Sequence, residues 1–167
     1  MSRETQGDGR LEVSGTVLGA GETLAGDARI AIVCSRYHSH VMQLLLDGAI
    51  ATATEQGVAY DVILSEGAFE LGILSLEAAA TGTYVGVAAL GCVIRGDTSH
   101  YDYVCSETAR GILEAGLQTG VPVTFGVITC ETAEQAFARA GGEAGNKGSE
   151  AVSTALATAR TLAAIRR

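Results

Sequence analysis

The stretch GCVIRGDTSHYDYV, Gly91 to Val104, places an acid, two hydroxyls and a histidine directly after an apolar run. Those residue types suit an anion and a moving proton. Free backbone N–H groups around Asp97 and Thr98 at a helix start would hold negative charge, and His100 beside them is a candidate proton carrier. Three other polar stretches follow apolar runs in the same way: SRYHSH (Ser35 to His40), SEGAFE (Ser65 to Glu70) and ITCE (Ile128 to Glu131). An aromatic, Tyr37, in one and a second, Phe69, beside Glu70 in the next are the makings of a slot for a flat, hydrogen-bonding heterocycle with a polar tail. Arg139 and Lys147 add cations that would assist a phosphate. Taken singly, each has a plainer explanation: rim aromatics, a favourable charge at a helix start, a polar turn capping a helix. The tripeptide Arg95-Gly96-Asp97 is too short to argue for adhesion.

What gives these stretches weight is the pattern that positions them. The runs Arg29–Ser35 and Val85–Ile94 are nearly continuously apolar, as strands covered on both faces are, and Pro122–Thr129 is rich in β-formers. Tyr60–Ser65 makes a fourth strand. Helices are expected over His38–Gln56, Phe69–Ala80 and Tyr101–Thr119, with Gly57, Gly82 and Gly120 near their ends. Thr132 and Gln135 have capping-box spacing for a short helix through Ala140, and a last helix begins near Lys147. Val152, Ala155, Leu156, Ala159 and Leu162 then recur on one helical face. Strands alternating with helices predict a three-layer α/β/α sandwich on a four-stranded parallel sheet, in which the four polar stretches share the carboxyl-end rim where ligands bind. Residues 29–167 form this domain. Residues 1–28 are an extension, in which LEVSGTVLG reads either as a strand added to a neighbouring subunit's sheet or as part of a disordered tail.

Composition narrows the function classes. A chain of 167 residues with 47% hydrophobic content supports one core. A formal net charge of −8 argues against nucleic acid or an anionic membrane surface as partner. The N-terminal stretch MSRETQGDGRLEVSG has no apolar core of signal-peptide length, and no later segment has the length of a membrane span, so the expected location is the cytoplasm. Cys34, Cys92, Cys105 and Cys130 lie far apart in sequence and form no paired motif, and His38 and His40 would point to different sides of a helix; no metal site is expected.

The stretches GCVIRGDTSHYDYV, EGAFEL, GVPVTFGVIT, EQAFARAG and AGNKGSEA resemble, in order and spacing from about Ile30 to the C-terminus, the motif series of the lumazine synthase family. The resemblance implies a flavodoxin-like subunit whose active sites lie between neighbours in a homo-pentamer. It implies condensation of 5-amino-6-ribitylamino-pyrimidinedione with 3,4-dihydroxy-2-butanone 4-phosphate to 6,7-dimethyl-8-ribityllumazine and phosphate, with no cofactor. By matching positions, Tyr37 would stack on the pyrimidine; Ala68, Phe69 and Glu70 would hold the ribityl side; Val93 and Ile94 would line the ring pocket. Asp97, through its main chain, and Thr98 would take the phosphate and His100 would move protons. Phe125, Arg139 and Lys147 would come from the adjacent subunit. Lacking an insertion between the last two helices, the chain is expected to close twelve pentamers into a shell of sixty subunits, with riboflavin synthase as a candidate partner. It departs from the family pattern in having no proline around Gly67, which leaves that turn less constrained, in His38 where Asn is usual and in Glu143 where Lys is usual. Two other readings stand beside it: a non-catalytic flavin- or lumazine-binding assembly protein on the same scaffold, and an unrelated flavodoxin-like electron carrier.

Overall fold

The computed structural model describes Ser14, residues 16–19 and residues 21–167. In chain order the elements are β1 (Arg29–Ser35), α1 (Ser39–Glu55), β2 (Ala59–Ser65), α2 (Leu71–Ala80), β3 (Gly86–Ile94), α3 (His100–Thr119), β4 (Val123–Cys130), α4 (Ala133–Arg139), β5 (Ala140–Gly142), β6 (Gly145–Asn146) and α5 (Lys147–Ile165). The first four strands run parallel in the order β2-β1-β3-β4. The expected sandwich is therefore present. The central strands β1 and β3 are the two continuous apolar runs, because both their faces are covered. On one face Ile30, Ile32, Leu90 and Ile128 pack with Leu45, Ala49, Val152 and Leu156 of α1 and α5. On the other, Ala31, Val33, Val87 and Val127 pack with Leu71, Ala78 and Ile112 of α2 and α3. The edge strand β2 leaves Tyr60, Val62 and Leu64 exposed.

Element boundaries moved where local chemistry decided. Helix α2 begins at Leu71, not Phe69, so Phe69 and Glu70 stay in the preceding turn; α3 begins at His100, one residue earlier than expected. The β5–β6 hairpin had no counterpart in the sequence reading. It is too short and glycine-rich to show a strand period, and Gly141 (φ 120°) and Gly145 (φ 78°) supply backbone conformations that L side chains rarely adopt. Of LEVSGTVLG, residues 11–13 and 15 lie outside the described residues, and Ser14 and residues 16–19 form no strand.

Asn146 explains why the hairpin sits where it does. Its Oδ1 caps α5 by accepting from the Gly148 and Ser149 amides at 2.9 and 3.0 Å, while its Nδ2 donates to the carbonyls of Leu44 and Ala140 at 2.9 and 3.2 Å. One side chain thus ties α1, β5 and α5 together. The neighbours are shaped for it: a Cβ at Gly48 would collide with the Asn146 amide, and one at Gly148 would run into the Leu45 carbonyl oxygen. Asn146→Ala removes a cap and strands two carbonyls, so a loss of roughly 2 kcal/mol is expected in urea denaturation; a loss below a few tenths would mean that water replaces the amide at little cost.

Candidate active site

The carboxyl ends of β1, β2 and β3 open into a cleft of about 680 Å³. Tyr37 and His38 enter it from the loop after β1, and Gly67 to Glu70 from the turn after β2. Cys92, Val93 and Ile94 end β3 within it, and Gly96, Thr98, His100, Tyr101 and Val104 close it from the start of α3. Parallel pairing is what brings these loops to one rim, since every strand ends there and every return passes through a helix.

Local backbone chemistry sets each wall. His38 is in the left-handed conformation (φ 61°, ψ 51°), and among the described residues no other non-glycine has positive φ. This bend turns the chain into α1 and leaves the His38 and Tyr37 rings nearly perpendicular, with centroids 4.7 Å apart. Tyr37 and Phe69 are both mostly exposed. The turn after β2 has no proline but carries its own brace: the Ser65 hydroxyl donates to the Gly67 carbonyl at 2.7 Å, and the Ser65 carbonyl accepts from the Arg36 amide at 2.9 Å. Ala68 is buried beneath it, leaving Phe69 and Glu70 at the rim. In the third loop the His100 amide donates to the Thr98 hydroxyl at 3.4 Å, a short turn leading into α3.

Tyr37, Ala68, Phe69, Glu70, Val93, Ile94, Thr98 and His100 thus line one cleft. Asp97 does not, although Gly96 and Thr98 on either side do. Phe125, Arg139 and Lys147 also lie outside this cleft. Phe125 is half exposed on the edge strand β4, Arg139 ends α4 and donates to the Gln135 carbonyl at 3.0 Å, and Lys147 opens α5 in an ion pair with Glu150 at 2.7 Å. Six lining residues were not expected as site residues: His38, Gly67, Cys92, Gly96, Tyr101 and Val104. Tyr101 and Val104 share the inward face of α3 with His100, a helical spacing that could have signalled them. Cys92 and His38 carried no such signal.

Burial pushes the Cys92 thiol up to about 12, with Cys130 nearby adding to the effect, and burial takes Cys34 up to about 11. The Tyr101 phenol is raised as well, mainly by burial. Among the described residues no group of three histidine, cysteine or acidic side chains is placed to hold a metal ion.

A parallel α/β sheet with an aromatic-rimmed cleft at its carboxyl edge, lined also by His38 and His100, is the architecture of a small-molecule-binding protein. Residues 27–163 match the family described as 6,7-dimethyl-8-ribityllumazine synthase, and the chain belongs to that family. Its members are transferases of riboflavin biosynthesis. Nothing among the described residues favours the non-catalytic binding protein.

The thiol environment has a measurable consequence. A thiol that ionises near 9.0 in the unfolded chain and near 12 when folded contributes stability that is complete below pH 9 and lost as pH rises from there towards 12. Iodoacetamide at pH 8 should therefore modify the part-exposed Cys105 first and leave Cys34, Cys92 and Cys130 intact until denaturant is added, as read by peptide mass spectrometry. Prompt labelling of Cys92 in the folded protein would contradict this environment.

Proposed function

We propose that this cleft forms the lumazine from the ribitylamino-pyrimidinedione and the butanone phosphate, with the chain's residues dividing the work. The observation that carries the reading is the convergence of Tyr37, Phe69–Glu70, Val93–Ile94 and Thr98–His100 on one cleft in a chain of this family. The reaction joins the pyrimidine's amine to the ketone as an imine with loss of water, expels phosphate by elimination, and closes the second ring with loss of another water. None of these steps needs a strong nucleophile; each needs the two substrates held in register and a proton moved. Tyr37 stacks on the pyrimidine, Ala68, Phe69 and Glu70 receive the ribityl chain, and Val93 and Ile94 exclude water from the ring. The phosphate rests on the backbone around Asp97 and Thr98 at the start of α3, where amide groups without helical partners attract it. His100 takes the proton released at the amine and returns one to the departing oxygen.

The site is completed by a neighbour. Phe125, Arg139 and Lys147 are assigned to the adjacent subunit's cleft, Arg139 as the cation for the phosphate. Two features of the chain support an assembly. Among the described residues β2 is an edge strand, whose backbone could pair with an added strand and whose Tyr60, Val62 and Leu64 are exposed, and Leu113 and Leu117 on α3 are strongly exposed beside Val121 and Val123. The pentamer is the proposed unit and a sixty-subunit shell its closed form, with riboflavin synthase as a partner. Four unpaired cysteines suit a reducing cytoplasm.

Mixing the protein with both substrates and following lumazine absorbance tests the reaction; no product from a folded protein refutes it. His100→Ala should slow turnover by about a hundredfold while leaving the assembly intact, and an unchanged pH–rate profile in that variant would remove His100 from the mechanism. Assembly is tested by light scattering and electron microscopy, where hollow shells are expected and pentamers alone at moderate concentration would overturn the shell.

A further inference from the structure

The arginine of Arg95-Gly96-Asp97 has no part in the roles assigned above, yet it is the most heavily engaged side chain on the rim. Its amide donates to the Cys130 carbonyl at 2.9 Å as β3 ends. Its guanidinium reaches two carboxylates on different elements: Nε meets Glu131, just past β4, at 2.9 Å, and Nη1 meets Asp102, in the first turn of α3, at 3.1 Å. The guanidinium carbon also lies 4.0 Å from the centroid of the Tyr101 ring, which lines the cleft. The turn Gly96–Ser99 is thus bracketed by one side chain anchored to the strand before it, the helix after it and the neighbouring strand end.

We propose that Arg95 is a positioning residue for the anion end of the cleft: it fixes the Gly96–Ser99 turn and the Tyr101 wall and does not bind phosphate itself. This rests on the synthase reading above. Three physical points carry it. Nε and Nη1 each meet a carboxylate of the same chain, and Arg95 is not among the residues that line the cleft. Asp102 stands in the first turn of the helix whose amides would receive the phosphate, where an uncompensated carboxylate would repel it; the Arg95 guanidinium cancels that charge. Only a planar fork satisfies two carboxylates and stacks on a ring at once, which a lysine ammonium cannot do. Because exposed ion pairs add little to global stability, the effect falls on the geometry of the turn.

The test uses the full chain carrying Arg95→Lys, Arg95→Ala or Glu131→Gln. It measures the KM for each substrate, inhibition by inorganic phosphate, the thermal midpoint, and hydrogen exchange of the amides from Asp97 to Tyr101. Arg95→Lys and Arg95→Ala should each weaken butanone phosphate and inorganic phosphate by roughly tenfold, the scale of one charge-assisted hydrogen bond. The pyrimidine KM should move much less and the thermal midpoint should hold. Glu131→Gln should reproduce part of the loss and combine with Arg95→Ala less than additively, and the turn amides should exchange faster in each variant. If Arg95→Lys keeps wild-type phosphate affinity while Arg95→Ala loses it, Arg95 acts as a bare charge and the proposal is overturned. Equal losses for both substrates with a lowered midpoint would reduce it to general stability, and overturn it likewise. Should the wild-type chain form no lumazine, the synthase reading fails separately; amide exchange that stays unchanged in Arg95→Ala then sinks the Arg95 role on its own.

Discussion

The parallel hydrogen-bond register among β2, β1, β3 and β4 is the constraint on which the rest depends. Parallel strands cannot be joined by tight hairpins, so each connection climbs back through a helix and each strand ends on the same rim. Covering both faces of β1 and β3 with those helices makes their interiors apolar, which leaves the polar groups to the strand ends and loops. The candidate site residues therefore stand at strand ends, in short loops and at the start of α3, on a rigid base. Their precision comes from the sheet, and their chemistry comes from the loops.

In the proposed reaction the cleft would work by holding rather than attacking. Its lining is largely aromatic and aliphatic, with a few convergent polar groups at one end, the usual character of a site that orients a small molecule. The cysteine that intrudes, Cys92, is kept protonated by its own burial. A reaction that loses water twice and phosphate once gains from such a place, because exclusion of solvent and alignment of the two partners remove most of the entropic barrier.

Each loop meets a conformational demand in its own way. The bend after β1 is taken by His38 in the left-handed region, a strain that asparagine or glycine would bear more easily. The turn after β2 replaces proline rigidity with the Ser65 hydroxyl on the Gly67 carbonyl. The hairpin before α5 uses glycines at positive φ and the Asn146 amide as its anchor. Hydrogen bonds from side chain to backbone thus do the work that prolines do elsewhere, and they act only in the folded state, whereas proline also restricts the unfolded chain.

The strands and helices were legible in the sequence because burial is periodic. Arg29–Ser35 is the same strand in both readings, and the other strands and most helices shift by one or two residues at their ends. The rim was legible too, since the polar stretches had to fall at strand ends; that alone puts Tyr37, Phe69, Glu70, Thr98 and His100 together. Invisible to it were relations that cross elements without a period. Asn146 bonding to the Leu44 carbonyl, Arg95 spanning Asp102 and Glu131, and Tyr101 turning its ring into the cleft all join residues whose separation in sequence carries no signal. Amino-acid order alone determined which segments are buried and which chemistry stands at the rim, because hydrophobic pattern acts residue by residue. The tertiary structure alone decided which charges are spent on the protein itself and which stay free, because an ion pair depends on distance in space.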